Sequence, residues 1–350
     1  MNYMKQTDLF YAKILLLGEY GVILGSKALS IPYTHFSGEL SFITEDKYTD
    51  YNKALESNRD LKEYASYLQQ NPEIISYSNL NLDQFIKDLN EGLYFESSIP
   101  QGYGVGSSGA LVAAIYSRYT LNNESFNSIT PQEKNNLDKP VSHPESPSFL
   151  INGTGETKPV PIRLKEILSR LESYFHGQSS GIDPLNAYIK APLLVSGLNS
   201  IDIVKLPGKN LGKQSAIFLL DSGTPGKTGL LVEQFMAKCM DPGYSQLMKQ
   251  EYIPLINDAI NSLTDATDNS FFDLIHKISH FQREHMTSLI PEPVLDLWDE
   301  GLRSNIFSLK LCGSGGGGYI LGFTKDETKA NMLLKSRQQE LIPVYRGDHL

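Results

Sequence analysis

Cysteine is nearly missing from this chain: 350 residues hold two, Cys239 and Cys312, far apart and without a CxxC or Cys/His spacing. Neither a disulfide framework nor a zinc site follows from so few, and a reducing compartment, the cytoplasm, is the expected home. Long apolar runs are missing as well. The first, residues 12–17, is six residues long and has no basic region ahead of a longer hydrophobic core. It is too short for a secretory leader or a membrane span and reads as a buried strand. Basic residues are the minority, 31 Lys and Arg against 40 Asp and Glu, for a net charge of −9. No Lys/Arg cluster offsets that locally, so no nucleic-acid partner is expected. A phosphorylated ligand would need local donors and a metal, because bulk charge opposes it.

Several nucleotide and metal signatures are absent too. No GxxxxGK[ST] occurs, which excludes the Walker-type phosphate loop, and "GYGVGSSG" does not follow the GxGxxG spacing cleanly. His276 and His280 stand four apart in a helix-like segment, but without HExxH or a third ligand they read as two ordinary helix residues.

Glycine is plentiful, and it is concentrated. Residues 100–111 read "PQGYGVGSSGAL", placed between the strand-like "LYFESSIP" and a helix-like run over 108–119. Glycine costs backbone entropy and is justified where the chain needs unusual dihedrals or close approach of another group. At a helix start, free N–H groups and the positive end of the macrodipole favour an anion. The hydroxyls of Ser107 and Ser108 suit a phosphate oxygen or a magnesium ion that neutralises it. A second cluster, "CGSGGGGY" over 312–319, holds more glycine than a hairpin requires. Close approach to a ligand, or to another phosphate-binding loop, accounts for the excess.

The rest of the chain reads as mixed helix and strand. "AKILLLGEYGVI" suggests strand, turn and strand, "KALSIPYTHFSGELSFI" suggests short β runs broken at Pro32 and Gly38, and 46–90 is polar and helical with Leu82, Phe85, Ile86 and Leu89 on one face. Residues 122–161 turn to Asn, Ser, Pro and Gly, the composition of long surface connections. Beyond about 191, strands are followed by several helices. The expected organisation is an α+β protein of two domains, 1–190 and 191–350.

Three further residue groups carry candidate chemistry. In "HGQSSGID", Asp183 precedes Pro184, which suits the first turn of a helix; a cap and a functional carboxylate both fit there. Glu172 lies on the preceding helix, within reach of the same turn. Lys13 is a lone cation entering an apolar strand, with Glu19 on the turn after it; a lysine at a strand start is often solvated.

Taken together, "PQGYGVGSSGAL" resembles the central motif of the GHMP small-molecule kinases, and "KILLLGEYGVILGSKAL" and "LCGSGGGGYILGF" are similar to that family's first and last motifs, in the same order. "HGQSSGID" is similar to the HGxxSGxD of mevalonate kinases, and "LLDSGTPGKTGLLV" to their strand and threonine-ended loop. The resemblance implies two α+β domains, the first like the second domain of ribosomal protein S5 with a left-handed βαβ crossover, the second ferredoxin-like. It implies ATP and Mg²⁺ as cofactors and mevalonate as the small-molecule acceptor, the alternatives being phosphomevalonate, a sugar or homoserine as acceptor, or a non-catalytic ligand sensor. Asp183 and Lys13 would be catalytic. Gly104, Gly106, Ser107, Ser108 and Gly109 would cradle the phosphates, and Ser108 and Glu172 would hold the metal. Glu19, Tyr20 and Thr228 would contact the acceptor, with Gly315, Gly316 and Gly317 closing the site. Two departures stand out: Tyr20, where mevalonate kinases often have histidine, and Val105 with Gly109 in place of GLGSSA. No membrane partner is expected, and a homodimer is left open.

Overall fold

The computed structural model describes residues 8–43, 50–121, 158–159, 162–177, 179–197, 200–206, 211–226, 228–264 and 268–347. Most of the 122–161 connection expected from composition lies outside them.

The first domain is built on strand β1 (Phe10–Leu17) and the long strand β2 (Ala28–Phe42), joined by a 3-10 turn over Gly21–Leu24. β2 runs unbroken through Pro32 and Gly38, against the expectation of short runs. Pro32 is tolerated because it lies opposite Lys13 in the register, and the Lys13 N–H is turned away to the Val105 carbonyl at 2.9 Å. That pair is therefore a non-hydrogen-bonded one, and the imino nitrogen faces the side of β2 on which β5 pairs only with residues 28–30. At Gly38 the strand passes from β1 to β3 (Leu93–Ser97) as partner.

Helices α1 (Tyr51–Gln70), α2 (Pro72–Ser78) and α3 (Leu82–Asn90) separate β2 from β3, and α4 (Ser107–Tyr119) follows it. After β4 (Lys158–Pro159) come α5 (Ile162–His176) and α6 (Ile182–Ile189), then β5 (Leu193–Val195) and β6 (Ile201–Ile203). The first sheet has the order β1-β2-β5-β6-β4, with β3 also on β2. β5 and β6, which follow the boundary expected at residue 190, pair into this first sheet, and their apolar residues join the core beside β2. All of its described pairings are antiparallel, so no hydrogen-bonded parallel pair displays the hand of the expected crossover.

The second domain comprises β7 (Ala216–Asp221), α7 (Thr228–Lys238), α8 (Pro242–Leu247), a π-helical turn at Met248–Tyr252, α9 (Ile253–Thr264), α10 (Phe271–His285) and α11 (Leu295–Ser304). β8 (Ser308–Leu311), β9 (Tyr319–Thr324), α12 (Glu327–Ser336) and β10 (Ile342–Arg346) complete it, with sheet order β10-β7-β9-β8. One apolar core runs from β1 and β2 into this sheet and its helices, through Ile14, Leu17, Phe218, Tyr252 and Trp298. A second lies under α1, α3, α4 and α5. No described helix is long and apolar enough to cross a membrane.

The β7–β9 ladder positions the second glycine cluster, which enters β9 directly. Gly322 stands opposite Phe218 there, and a Cβ on it would come 2.1 Å from the fully buried Phe218 ring. Gly322→Ala is expected to destabilise the protein by about 1–3 kcal/mol, the usual cost of overpacking, measured by urea unfolding. Adding Phe218→Leu should recover part of that loss; a single variant as stable as the parent would show that the ring is free to move.

Candidate functional site

Among the described residues, helices α1, α3, α8 and α12 start at a side chain that accepts a first-turn N–H: Asp50, Asn81, Asp241 and Asp326. α2, α4, α6, α10 and α11 have no such cap, and among these α4 and α6 are different. Each starts after a glycine in the left-handed region, Gly106 at φ 77° and Gly181 at φ 75°, and no side chain caps it. The helix's own ladder begins with the Ala110 N–H, which donates to the Gly106 carbonyl at 3.0 Å, and the helix dipole adds positive potential ahead of it. This is the environment that the phosphate-cradle reading of "GYGVGSSG" requires.

The glycines ahead of α4 are dictated by what passes them. A Cβ on Gly106 would lie 2.9 Å from the Lys13 methylene chain, and one on Gly104 would lie 2.9 Å from the Cys312 carbonyl. The loop is thus pressed between β1 and the second glycine cluster. Inside α4, a Cβ on Gly109 would meet the Asp183 and Pro184 main chain at 2.7–2.8 Å, so Gly109 lets α6 pack on α4 closely enough to bring Asp183 to the site.

Lys13 and Asp183, isolated in sequence, meet here: Lys13 Nζ lies 2.9 Å from Asp183 Oδ1, the two side chains being 7% and 32% exposed. Burial works against the Lys13 ammonium, but the charge and hydrogen bond of Asp183 outweigh it and hold its pKa above the usual lysine value. Beside the pair, Ser108 Oγ donates to Glu172 Oε1 at 3.0 Å, and the Ser179 hydroxyl donates to Glu172 Oε2 while accepting the Gly181 N–H at 2.9 Å. Burial first, and the Asp183 carboxylate second, push the Glu172 carboxyl up to about 7, against those two hydroxyls. A carboxylate so destabilised, next to a second acid and a hydroxyl, fits a divalent cation. One or two carboxylates with phosphate oxygens are the usual magnesium set, and among the described residues no cluster of three His, Cys, Asp or Glu forms an all-protein alternative.

The second glycine cluster packs against the first and against the turn after β7. Gly226 N–H donates to the Gly102 carbonyl at 2.9 Å, Tyr319 N–H to Tyr103 at 3.4 Å, and Gly318 N–H to Thr224 at 2.6 Å. Gly315 and Gly317 are buried, with Leu289 and Thr224 carbonyls where a Cβ would stand, whereas Gly316 is exposed. Thr228 opens α7, but its side chain lies outside the described residues.

Glu19 and Tyr20 are placed unlike open ligand contacts. Glu19 is buried, its Oε1 2.8 Å from Lys310 Nζ and 2.9 Å from Gln282 Nε2; its Oε2 has no hydrogen-bond partner among the described residues. Tyr20 holds a left-handed φ of 61°, its ring packs on Phe235, and its hydroxyl donates to the Ser314 carbonyl at 2.5 Å. Cys312 lies within the electrostatic reach of both ion pairs, and burial pushes its thiol up to about 11, so it stays neutral.

Ser179, Lys310, Gln282 and Tyr252 escaped the sequence reading. Lys310 left a signal, a lone cation in the apolar run "FSLKL", the same signal that marks Lys13. Gln282 and Tyr252 left none, since a polar residue in an amphipathic helix reads as solvated. His276 and His280 line an open cavity of about 960 Å³ with Arg283, Asp299 and Arg337; His276 Nδ1 meets Ser308 Oγ at 3.2 Å and His280 meets Glu284 at 3.5 Å.

No family model and no curated protein matches the chain in sequence. Among solved structures it is similar to L. major mevalonate kinase in complex with R-mevalonate, at 15% identity and TM-score 0.60, covering 98% of this chain and 97% of that one. Methanococcus jannaschii mevalonate kinase is similar at 16% identity and TM-score 0.60, covering 98% of each chain. Streptococcus pneumoniae phosphomevalonate kinase in complex with phosphomevalonate and AMPPNP is similar at 13% identity and TM-score 0.51, over 97% of this chain and all of that one. The likeness runs the full length of the chain and establishes its fold as the two-domain α+β fold of the GHMP kinases.

The Glu172 carboxyl gives a pH signature. Its folded pKa is above its unfolded value, so the folded protein keeps a proton that the unfolded chain has lost, and stability declines as pH rises from about 4.5 to about 7. In EDTA, thermal unfolding should show this fall between pH 5 and 7.5, and Glu172→Gln should flatten it. Identical slopes in the two proteins would remove the assignment.

Proposed function

We propose that this chain is an ATP-dependent small-molecule kinase that converts (R)-mevalonate to 5-phosphomevalonate, with Mg²⁺ as cofactor. The observation that carries the reading is the convergence of the 2.9 Å Lys13–Asp183 pair and the Ser108–Glu172 pair on the uncapped start of α4. Phosphoryl transfer needs little covalent chemistry from the protein. It needs the acceptor oxygen in line and the spread negative charge neutralised.

Each proposed role follows from placement. Asp183, the more exposed partner of its ion pair, orients the acceptor's primary hydroxyl and takes its proton, while Lys13 holds the carboxylate in place and faces the transferred phosphoryl group. Gly104, Gly106, Ser107, Ser108 and Gly109 bind the nucleotide phosphates, chiefly through main-chain N–H groups. Ser108 and Glu172 hold the magnesium ion, which supplies charge neutralisation at the phosphates when bound. Gly315, Gly316 and Gly317 close the cleft from the second domain, and Thr228, with the turn at Glu19 and Tyr20, bounds the acceptor side.

The acceptor assignment draws support from the lysines. Lys13 is engaged by Asp183, and Lys27 Nζ donates to Asn261 Oδ1 at 2.7 Å. Lys227 lies outside the described residues. The described loop lysines are thus committed, which favours an acceptor without a phosphate of its own.

Asp183→Asn is expected to lower kcat by about 10²–10⁴-fold, the range for loss of a general base, with nucleotide affinity within a few-fold of the parent by fluorescent-analogue titration. Near-normal turnover would remove Asp183 from the chemistry. Ser108→Ala should raise the magnesium concentration needed for half-maximal turnover, read from a metal titration at fixed ATP. For the acceptor, coupled ADP release is measured with mevalonate, phosphomevalonate, homoserine and galactose. Turnover on mevalonate alone supports the assignment, and turnover on another acceptor moves it.

A further inference from the structure

The turn that joins β1 to β2 belongs to the first domain by sequence but is held almost wholly by the second. Lys310, from β8, is fully buried and directs its Nζ to Glu19 Oε1 at 2.8 Å and to the Leu311 carbonyl at 2.8 Å. Gln282, from α10, donates to the same Glu19 oxygen at 2.9 Å and to the Tyr252 hydroxyl oxygen at 2.7 Å, and its own Oε1 accepts the Leu311 N–H at 2.9 Å. The Tyr252 hydroxyl reaches the Glu19 carbonyl at 3.4 Å, and Tyr20 reaches the Ser314 carbonyl across the same boundary. Further along, the Lys27 N–H donates to Asn257 Oδ1 at 2.8 Å.

Each of these bonds crosses from the first domain to the second or braces a group that does. Fully buried charges are tolerated only when paired and hydrogen-bonded. Here the ammonium comes from one domain and the carboxylate from the other, so the pair is satisfied only while the domains are seated. The residue that follows β8, two positions from Lys310, is Cys312, whose carbonyl faces Gly104 of the phosphate loop and whose thiol feels both Lys310–Glu19 and Lys13–Asp183. The seating of the turn and the width of the cleft at the reacting end are therefore set by the same few residues.

We propose that Lys310, braced by Gln282 and Tyr252, is a positioning residue. Acting through Glu19, it fixes the β1–β2 turn on the second domain and so sets the acceptor end of the cleft, leaving the nucleotide end to the glycine loops. Glu19 and Tyr20 then shape the acceptor site from behind rather than as open ligand contacts. The kinetic consequence rests on the kinase reading above; the structural one does not.

The test uses Lys310→Met and Tyr252→Phe in the full chain, with two readouts. By hydrogen exchange, the amides of residues 19–25 should exchange at least tenfold faster in Lys310→Met while β9 keeps its protection. In steady-state kinetics, the KM for the acceptor should rise at least tenfold and that for ATP stay within twofold. Tyr252→Phe, which removes one hydroxyl and keeps the ring, should move both readouts the same way by about threefold. It supplies the answer if Lys310→Met does not accumulate as folded protein. Unchanged exchange at 19–25, or acceptor and ATP constants rising together, overturns the proposal. If the parent protein turns over no acceptor, the kinase reading fails alone, and the exchange readout still decides whether Lys310 seats the turn.

Discussion

The Lys13–Asp183 ion pair is the contact on which the arrangement of the site depends. A lysine buried in a strand is tolerable only beside an anion, and the anion comes from a helix whose first turn must lie almost against α4. That closeness is possible because position 109 has no side chain, and the lysine's own path past the glycine loop ahead of α4 is possible because position 106 has none. One electrostatic requirement thus explains two glycines, the close approach of two helices and the location of an acid at a helix start. The partial exposure of Asp183 leaves it an open side while Lys13 is covered, an asymmetry suited to a group that must meet a substrate.

A chain with a net charge of −9 repels phosphates at long range, and the structure answers this locally. Two ammonium groups lie deep at the junction of the domains, each beside one carboxylate, and the uncapped helix starts add positive potential without adding charged residues. Glu172 adds a negative charge only weakly near neutral pH, because burial and Asp183 disfavour its ionised form. The local field is therefore set by groups whose ionisation depends on one another, and a cation brought in with a phosphate ligand would change that balance most at Glu172.

The elements that could be read from the amino-acid order are those whose cause is local. The amphipathic face of α3, the strand ahead of the phosphate loop and the helix after it follow from period and from the glycine run, and they are found at the expected positions. Lys13, Ser108, Glu172 and Asp183 could be named singly, yet only the fold brings them within hydrogen-bond reach. What escaped the reading has causes distant in sequence. Pro32 interrupts β2 only if its neighbours are unknown, since its tolerance depends on the register with β1. The first sheet takes in β5 and β6 because β5 pairs with a strand more than 150 residues earlier. Glu19 reads as a turn residue that the family resemblance would set against an acceptor, and it is buried because a lysine 291 positions away in the sequence meets it.

The three loops at the cleft are fastened to one another by main-chain groups: Gly226 to Gly102, Tyr319 to Tyr103 and Gly318 to Thr224. Bonds of that kind are indifferent to which side chains their residues carry, provided that no Cβ intrudes where the chains touch. The architecture of the cleft therefore constrains composition at a few glycine positions and leaves most of the remaining alphabet unconstrained. A fold held in this way can be shared over its whole length by chains that agree at about one residue in six, and it is at the glycines, rather than in overall similarity, that kinship with such chains would be legible.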